Sequence, residues 1–125
     1  MQFVSVRVIS SDVTRLADFY EQATGLEARR PAEQFAEFTG ASGKLAIGGT
    51  QTLSGVDCTA ILEFLVDDVD REYRRLMGLA VVPEIVQEPT TMPWGNRSLL
   101  FRDPDGHLVN FFAPITEDAR ARLTG

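Results

Sequence analysis

Lysine is almost missing from this chain of 125 residues: Lys44 stands alone beside eleven arginines. All basic residues together number 12 against 18 acidic ones, a formal net charge of −6. That deficit excludes a protein that tracks phosphates, which would present a basic face. Cysteine is also scarce. Cys58 is the only one, so no internal disulfide can form, which fits a reducing cytoplasm. No apolar run approaches the roughly 20 residues that cross a bilayer. The opening MQFVSVRVISSD alternates like a strand and lacks the charged leader and apolar block of a signal peptide. Arginine in place of lysine is the lean expected of a GC-rich bacterial genome. What remains is ordinary: 44% hydrophobic and 24% charged residues, enough to pack one domain.

The pattern along the chain is α+β. Over residues 2–9, Val4, Val6 and Val8 share one face of a strand, while Phe3, Ser5, Arg7 and Ile9 share the other. Asp12 is placed to cap a helix carrying Val13, Leu16, Phe19, Tyr20 and Ala23, and Gly25 to close it. Two short strands follow within 26–39, broken by Pro31, then a third over 44–48. The pattern restarts at 59–66, with Leu62 and Phe64 on one face and Ile61, Glu63 and Leu65 on the other. Asp67 or Asp68 caps a helix with Val69, Tyr73 and Leu76, closed near Gly78. Strands are expected at about 80–87, 96–102 and 107–113, and a short terminal helix over Thr116 to Leu123.

The restart is an internal repeat. Asp12-Val13 and Asp68-Val69 mark equivalent strand-to-helix junctions. Phe38-x4-Gly43-x-Leu45 matches Phe101-x4-Gly106-x-Leu108. The expected organisation is one domain over 1–125. It comprises a first βαβββ module (2–48), a connector (49–58), a second βαβββ module (59–113) and a C-terminal helix (114–125). Two such modules can set their sheets side by side as one curved mixed sheet with helices outside.

The strings FYEQATGL (Phe19 to Leu26), FLVDDVD (Phe64 to Asp70) and PWGNRSLLFRDPDGHLVNFF (Pro93 to Phe112) carry a resemblance to a known family. The chain resembles the vicinal oxygen chelate superfamily of glyoxalases, extradiol dioxygenases and antibiotic-resistance proteins. The Trp94-Gly95 pair with Arg97 is most similar to the bleomycin-resistance branch. The resemblance implies the glyoxalase/bleomycin-resistance fold. It leaves function open, because this fold serves isomerisation, ring cleavage, thiol transfer and sequestration.

Metal-dependent members of the family hold their metal with four His or Glu side chains, from the first and last strand of each module. Counting from the capping aspartates places those positions at Ser5 and Ile61. Counting from the turn glycines places them at Ile47 and Asn110. A transition metal needs imidazole, thiolate or carboxylate donors, so no metal and no other cofactor is expected. Glu63 is the one carboxylate expected inside the cleft.

His107 is the single histidine and reads as a residue flanking a turn rather than a general base. Cys58 reads as an inert thiol. Arg7 and Glu63 form either an ion pair fixing the sheet or a polar pair orienting a ligand. Trp94, between Pro93 and Gly95, either lids a cleft or belongs to the core, and strand alternation does not settle the face of Arg97.

The reading that follows is a cytoplasmic, metal-independent small-molecule-binding protein. It would contact a partly aromatic antibiotic or metabolite through Ser5, Arg7, Phe35, Phe38, Glu63, Trp94, Asn110 and Phe112. Antibiotic resistance by sequestration is its sharpest form. The family implies a homodimer; nucleic acid and membrane are not expected partners. The rival is a lyase or isomerase of the glyoxalase type working without metal, with Glu63 as general base. A third alternative is a relic whose cleft is filled by side chains.

Overall fold

Strand β1 (Ser5–Ser10) runs parallel to β4 (Lys44–Gly49), with Val8 beside Ile47 and Arg7 beside Ala46. The structure is a computed structural model and describes residues 5–50 and 61–124. Expectations for Phe3, Val4, Cys58 and most of the 49–58 connector therefore lie outside the described residues. Between these two strands come helix α1 (Val13–Thr24), β2 (Arg29–Ala32) and β3 (Phe35–Thr39). The sheet order is β1-β4-β3-β2, with β3 antiparallel to both of its neighbours.

The local chemistry explains these elements. The Asp12 carboxylate accepts from the Arg15 amide at 3.0 Å, and Gly25 closes α1 with φ 74°. One stripe of α1 (Val13, Leu16, Ala17, Tyr20, Ala23) is buried, and Ala17 takes the place expected of Phe19. It covers Val8, Ala36, Phe38, Leu45 and Ile47, with the Tyr20 ring edge-on to Phe38 at 6.3 Å. Burying each of these rings removes roughly 150–250 Å² from water, worth up to roughly 4–6 kcal/mol at roughly 25 cal/mol/Å². The exposed Arg30 pairs with Asp18 and Glu21 contribute about 0–1 kcal/mol each. Packing, not surface charge, holds this unit. Pro31 does not break β2 but sits within it, which an edge strand tolerates because it has no ladder partner on one side.

The second unit repeats the order. β5 (Ile61–Leu65) is followed by α2 (Val69–Met77), β6 (Ile85–Thr91), β7 (Asn96–Arg102), β8 (Leu108–Pro114) and α3 (Glu117–Thr124). β5 pairs in parallel with β8, and the sheet order is β5-β8-β7-β6. Asp68, rather than Asp67, caps α2. The core side of this sheet carries Leu62, Leu99, Phe101, Val109 and Phe111, all buried. Phe111 meets Phe101 edge-on at 4.9 Å and Phe64 at 5.8 Å.

Two turns are built from specific groups. At Met92–Asn96 the chain reverses through Gly95, whose φ is 91° and whose carbonyl accepts from Ile115 at 2.8 Å. A Cβ there would lie 2.1 Å from Thr116 Oγ1, so glycine is required twice over. At 103–107 the Asp103 carboxylate accepts from the amides of Asp105 and His107 at 2.9 Å each. Its second oxygen meets His107 Nδ1 at 2.7 Å. His107 is thus held as a turn residue.

The hydrogen bond with Asp103 raises the His107 pKa above its ordinary value of 6.5. A raised folded pKa stabilises the native state fully below the unfolded value and loses that contribution as pH rises through the folded one. Wild type should therefore lose stability relative to His107→Gln between about pH 6.5 and the raised folded value. Urea midpoints across that range check this; parallel profiles for the two proteins would contradict it.

Candidate functional site

A strand presents alternate residues to opposite faces, so each sheet has a core side and an open side. In the second unit the pairing register lays three rows across the open side. The first is Ile61–Leu108–Arg102, the second Glu63–Asn110–Leu100–Gln87, and the third Leu65–Phe112–Ser98–Thr90. Ile61 and Leu65 are more than half exposed, and Phe112 is half-buried. Asn110 is buried to 8% exposure. Its amide Nδ2 donates to Glu63 Oε2 at 2.9 Å, which fixes which way the amide points. Among the described residues, Asn110 Oδ1 and Gln87 Oε1 are buried acceptors with no hydrogen-bond partner. Arg102, the cation on this face, is turned elsewhere: it pairs with Glu84 at 3.0 Å and donates to the Gly106 carbonyl.

The open side of the first unit carries Ser5, Arg7 and Ile9 on β1, Ala46 on β4, and Phe35 and Glu37 on β3. Ser5 and Arg7 are exposed; Phe35 and Glu37 are half-buried. Phe38 does not belong with them. It is 2% exposed, pairs with Leu45 and packs against Tyr20 on the helix side. Phe35 and Phe38 are three apart on one strand, so period-two alternation forbids both from facing the same way. Phe38 is core.

Ile47 needs a similar correction. It lies beside Val8 and is fully buried on the helix side. The cause is hairpin length. Phe38 pairs with Leu45, seven residues on, whereas Phe101 pairs with Val109, eight residues on. Aligning the turn glycines therefore slips the last strand by one, and the first-unit counterpart of Asn110 is Ala46. The four positions become Ser5 and Ala46 in one unit and Ile61 and Asn110 in the other. One hydroxyl, one amide and two hydrocarbon side chains do not fit a divalent transition metal. Among the described residues, no group of three or more His, Cys, Asp or Glu is placed to hold one.

Arg97 is settled on the helix side. Its guanidinium grips Asp70 of α2 through Nε–Oδ2 at 2.7 Å and Nη2–Oδ1 at 2.8 Å, and Nη1 reaches Thr91. That contact lowers the Asp70 pKa and raises that of Arg97. Trp94 is 54% exposed, so it is not core. The backbone under it is pinned: Arg122 of α3 donates to the Trp94 carbonyl. Sequence reading missed Gln87 and Glu37. The β6 register shifts around Gln87, which hides its face from alternation. Glu37 was legible from its place one residue before Phe38, once Phe38 is recognised as core.

The model of the Glyoxalase/Bleomycin resistance protein/Dioxygenase superfamily matches residues 2–111. No curated protein matches the chain. Among solved structures, a protein described as a conserved domain protein is similar at 27% identity and TM-score 0.79, covering 91% of this chain and 99% of that one. TioX from Micromonospora sp. ML1 is similar at 26% identity and TM-score 0.74, covering 92% and 100%. A lactoylglutathione lyase from Agrobacterium tumefaciens, at 21% identity and TM-score 0.73 over 90% and 92%, shares the fold.

The two faces should respond differently to truncation. Phe38→Ala should cost about 3–5 kcal/mol of stability as a buried ring. Phe112→Ala, on a half-buried open face, should cost less than half as much. Equal losses in denaturant titrations would contradict the assignment of Phe38 to the core.

Proposed function

The chain belongs to the glyoxalase/bleomycin resistance protein/dioxygenase superfamily, and from that premise we propose that it is a metal-independent binder of a flat, partly aromatic small molecule. The observation that carries this reading is the open face of the second unit. Apolar Ile61, Leu65, Leu100 and Phe112 surround a few placed polar groups, the usual composition of a small-molecule site. Glu63, Asn110 and the indole of Trp94 supply polar and stacking contacts there. Ser5, Arg7 and Phe35 are available on the open face of the first unit. Sequestration of an aromatic antibiotic or metabolite is the form of the activity that needs only these groups.

A glyoxalase-type lyase or isomerase with Glu63 as base is less well supported. Such a base works best shielded from water, whereas Glu63 is exposed and already engaged by the Asn110 amide. A reducing cytoplasm and a homodimer complete the proposal. The exposed apolar side chains Val81 and Val82, away from the ligand face, support dimerisation, since a second copy would cover them.

The assembly is expected to sediment as a dimer at tens of micromolar; a monomer at that concentration would remove it from the proposal. For binding, a thermal-shift screen of aromatic natural products, run with and without a chelator, should find stabilising compounds whose effect the chelator does not change. Trp94→Ala should weaken those compounds about tenfold, because stacking contributes roughly 0.5–1.5 kcal/mol. Its half-exposed indole makes the fold itself nearly indifferent to the change. Unaltered affinity in Trp94→Ala would take the indole out of the site, and stabilisation that vanishes with the chelator would overturn the metal-independent reading.

A further inference from the structure

The middle row of the second sheet, Glu63–Asn110–Leu100–Gln87, is unusual in what it lacks. It holds a carboxylate and two amide oxygens. The Nδ2 group of Asn110 already donates to Glu63, and the neighbouring Arg102 is held by Glu84 and Gly106. Buried acceptors without partners are rare in native proteins and destabilise the fold by the hydration they lose. Two lie on one row, flanking the same leucine, and the one further side-chain donor on that row is the Gln87 amide nitrogen.

The spacing says what could donate to these acceptors. Strands lie about 4.8 Å apart, so the carboxylate and the far amide are separated by three spacings, about 14 Å. One cation cannot be reached by all three groups. An extended edge with several N–H groups can.

We infer that the Glu63–Asn110–Gln87 row is an acceptor subsite that recognises the N–H donor edge of a flat ligand, one bearing amide or amino groups at separated positions. This rests on the binding function proposed above and adds the chemical class of what is bound. Leu100 lies between Asn110 and Gln87 and provides an apolar floor for the body of the ligand. Both oxygens are buried, so meeting a donor requires each side chain to turn outward, half-exposed Gln87 more readily than Asn110, whose amide nitrogen Glu63 holds.

Two neutral compounds of matched shape test this: 4-aminobenzamide, with N–H groups at both ends, and 4-methylacetophenone, with methyl groups in their place. Amide NMR titration of the full chain reads both the affinity and the shifts of the Asn110 and Gln87 side-chain amides. The donor compound should bind at least tenfold tighter and move both amide signals. Gln87→Met keeps the shape but removes the acceptor. It should erase most of that preference and melt no lower than wild type, because an unpaired acceptor has gone. Equal affinity for the two compounds, or a preference that survives in Gln87→Met, overturns the donor-recognition inference while leaving the binding function intact. A Gln87→Met protein that melts below wild type shows that the oxygen is partnered in solution and also overturns it. Absence of binding by both compounds overturns the subsite, and if the wider aromatic screen also gives no hit the binding function falls with it.

Discussion

In each unit the first strand pairs in parallel with the last, β1 with β4 and β5 with β8, and the rest of the structure depends on that pairing. A parallel pair cannot be closed by a tight turn, and here a helix and two further strands fill the connection. The helix covers one face of the sheet. The other face stays open, and the residues meeting across the parallel pair stand side by side on it. Glu63 reaches Asn110, 47 positions further along the chain, only because β5 and β8 are neighbours.

The two faces of each sheet differ in what they bury. The helix side is filled by aromatic rings in edge-to-face contact and by Leu, Val and Ile side chains near zero exposure. Removing any of these leaves a cavity in a close-packed interior. Charge on that side is neutralised in a fixed geometry, as Arg97 and Asp70 show through their forked contact. The open side holds half-exposed hydrophobes and amides with incomplete partnerships. Asn110, Ser98 and Ala46 are nevertheless buried on that side.

Much of the architecture was legible in the residues alone. The capping aspartates, Gly25, the alternation in β5, β7 and β8 and the repeated order of elements all follow from local rules that the packing did not override. What failed was counting across turns. The glycine of each hairpin marks the turn but not its length, and one extra residue in the second hairpin put Ile47 on the wrong face. Phe38 lies an odd number of residues from Phe35, so alternation alone separates their faces. Gln87 was not legible: irregular pairing along β6 resets the alternation just where it would have been read. Arg97 was undecidable for the related reason that the turn at Met92–Gly95 breaks the count. The family resemblance located the fold correctly but could not say which amides would be left without partners, since that depends on every side chain around them.

The close approach of Gly95 to Thr116 has an evolutionary consequence. With 2.1 Å between a hypothetical methyl group and the threonine hydroxyl, and φ at 91°, any other side chain here would be strained. The residue immediately before Gly95 is not so constrained, because its indole is more than half exposed and only its backbone is anchored by α3. A lineage could therefore exchange the tryptophan for another side chain in a single step, on a loop whose path would not change. The same scaffold would then present a new chemical surface without loss of the fold.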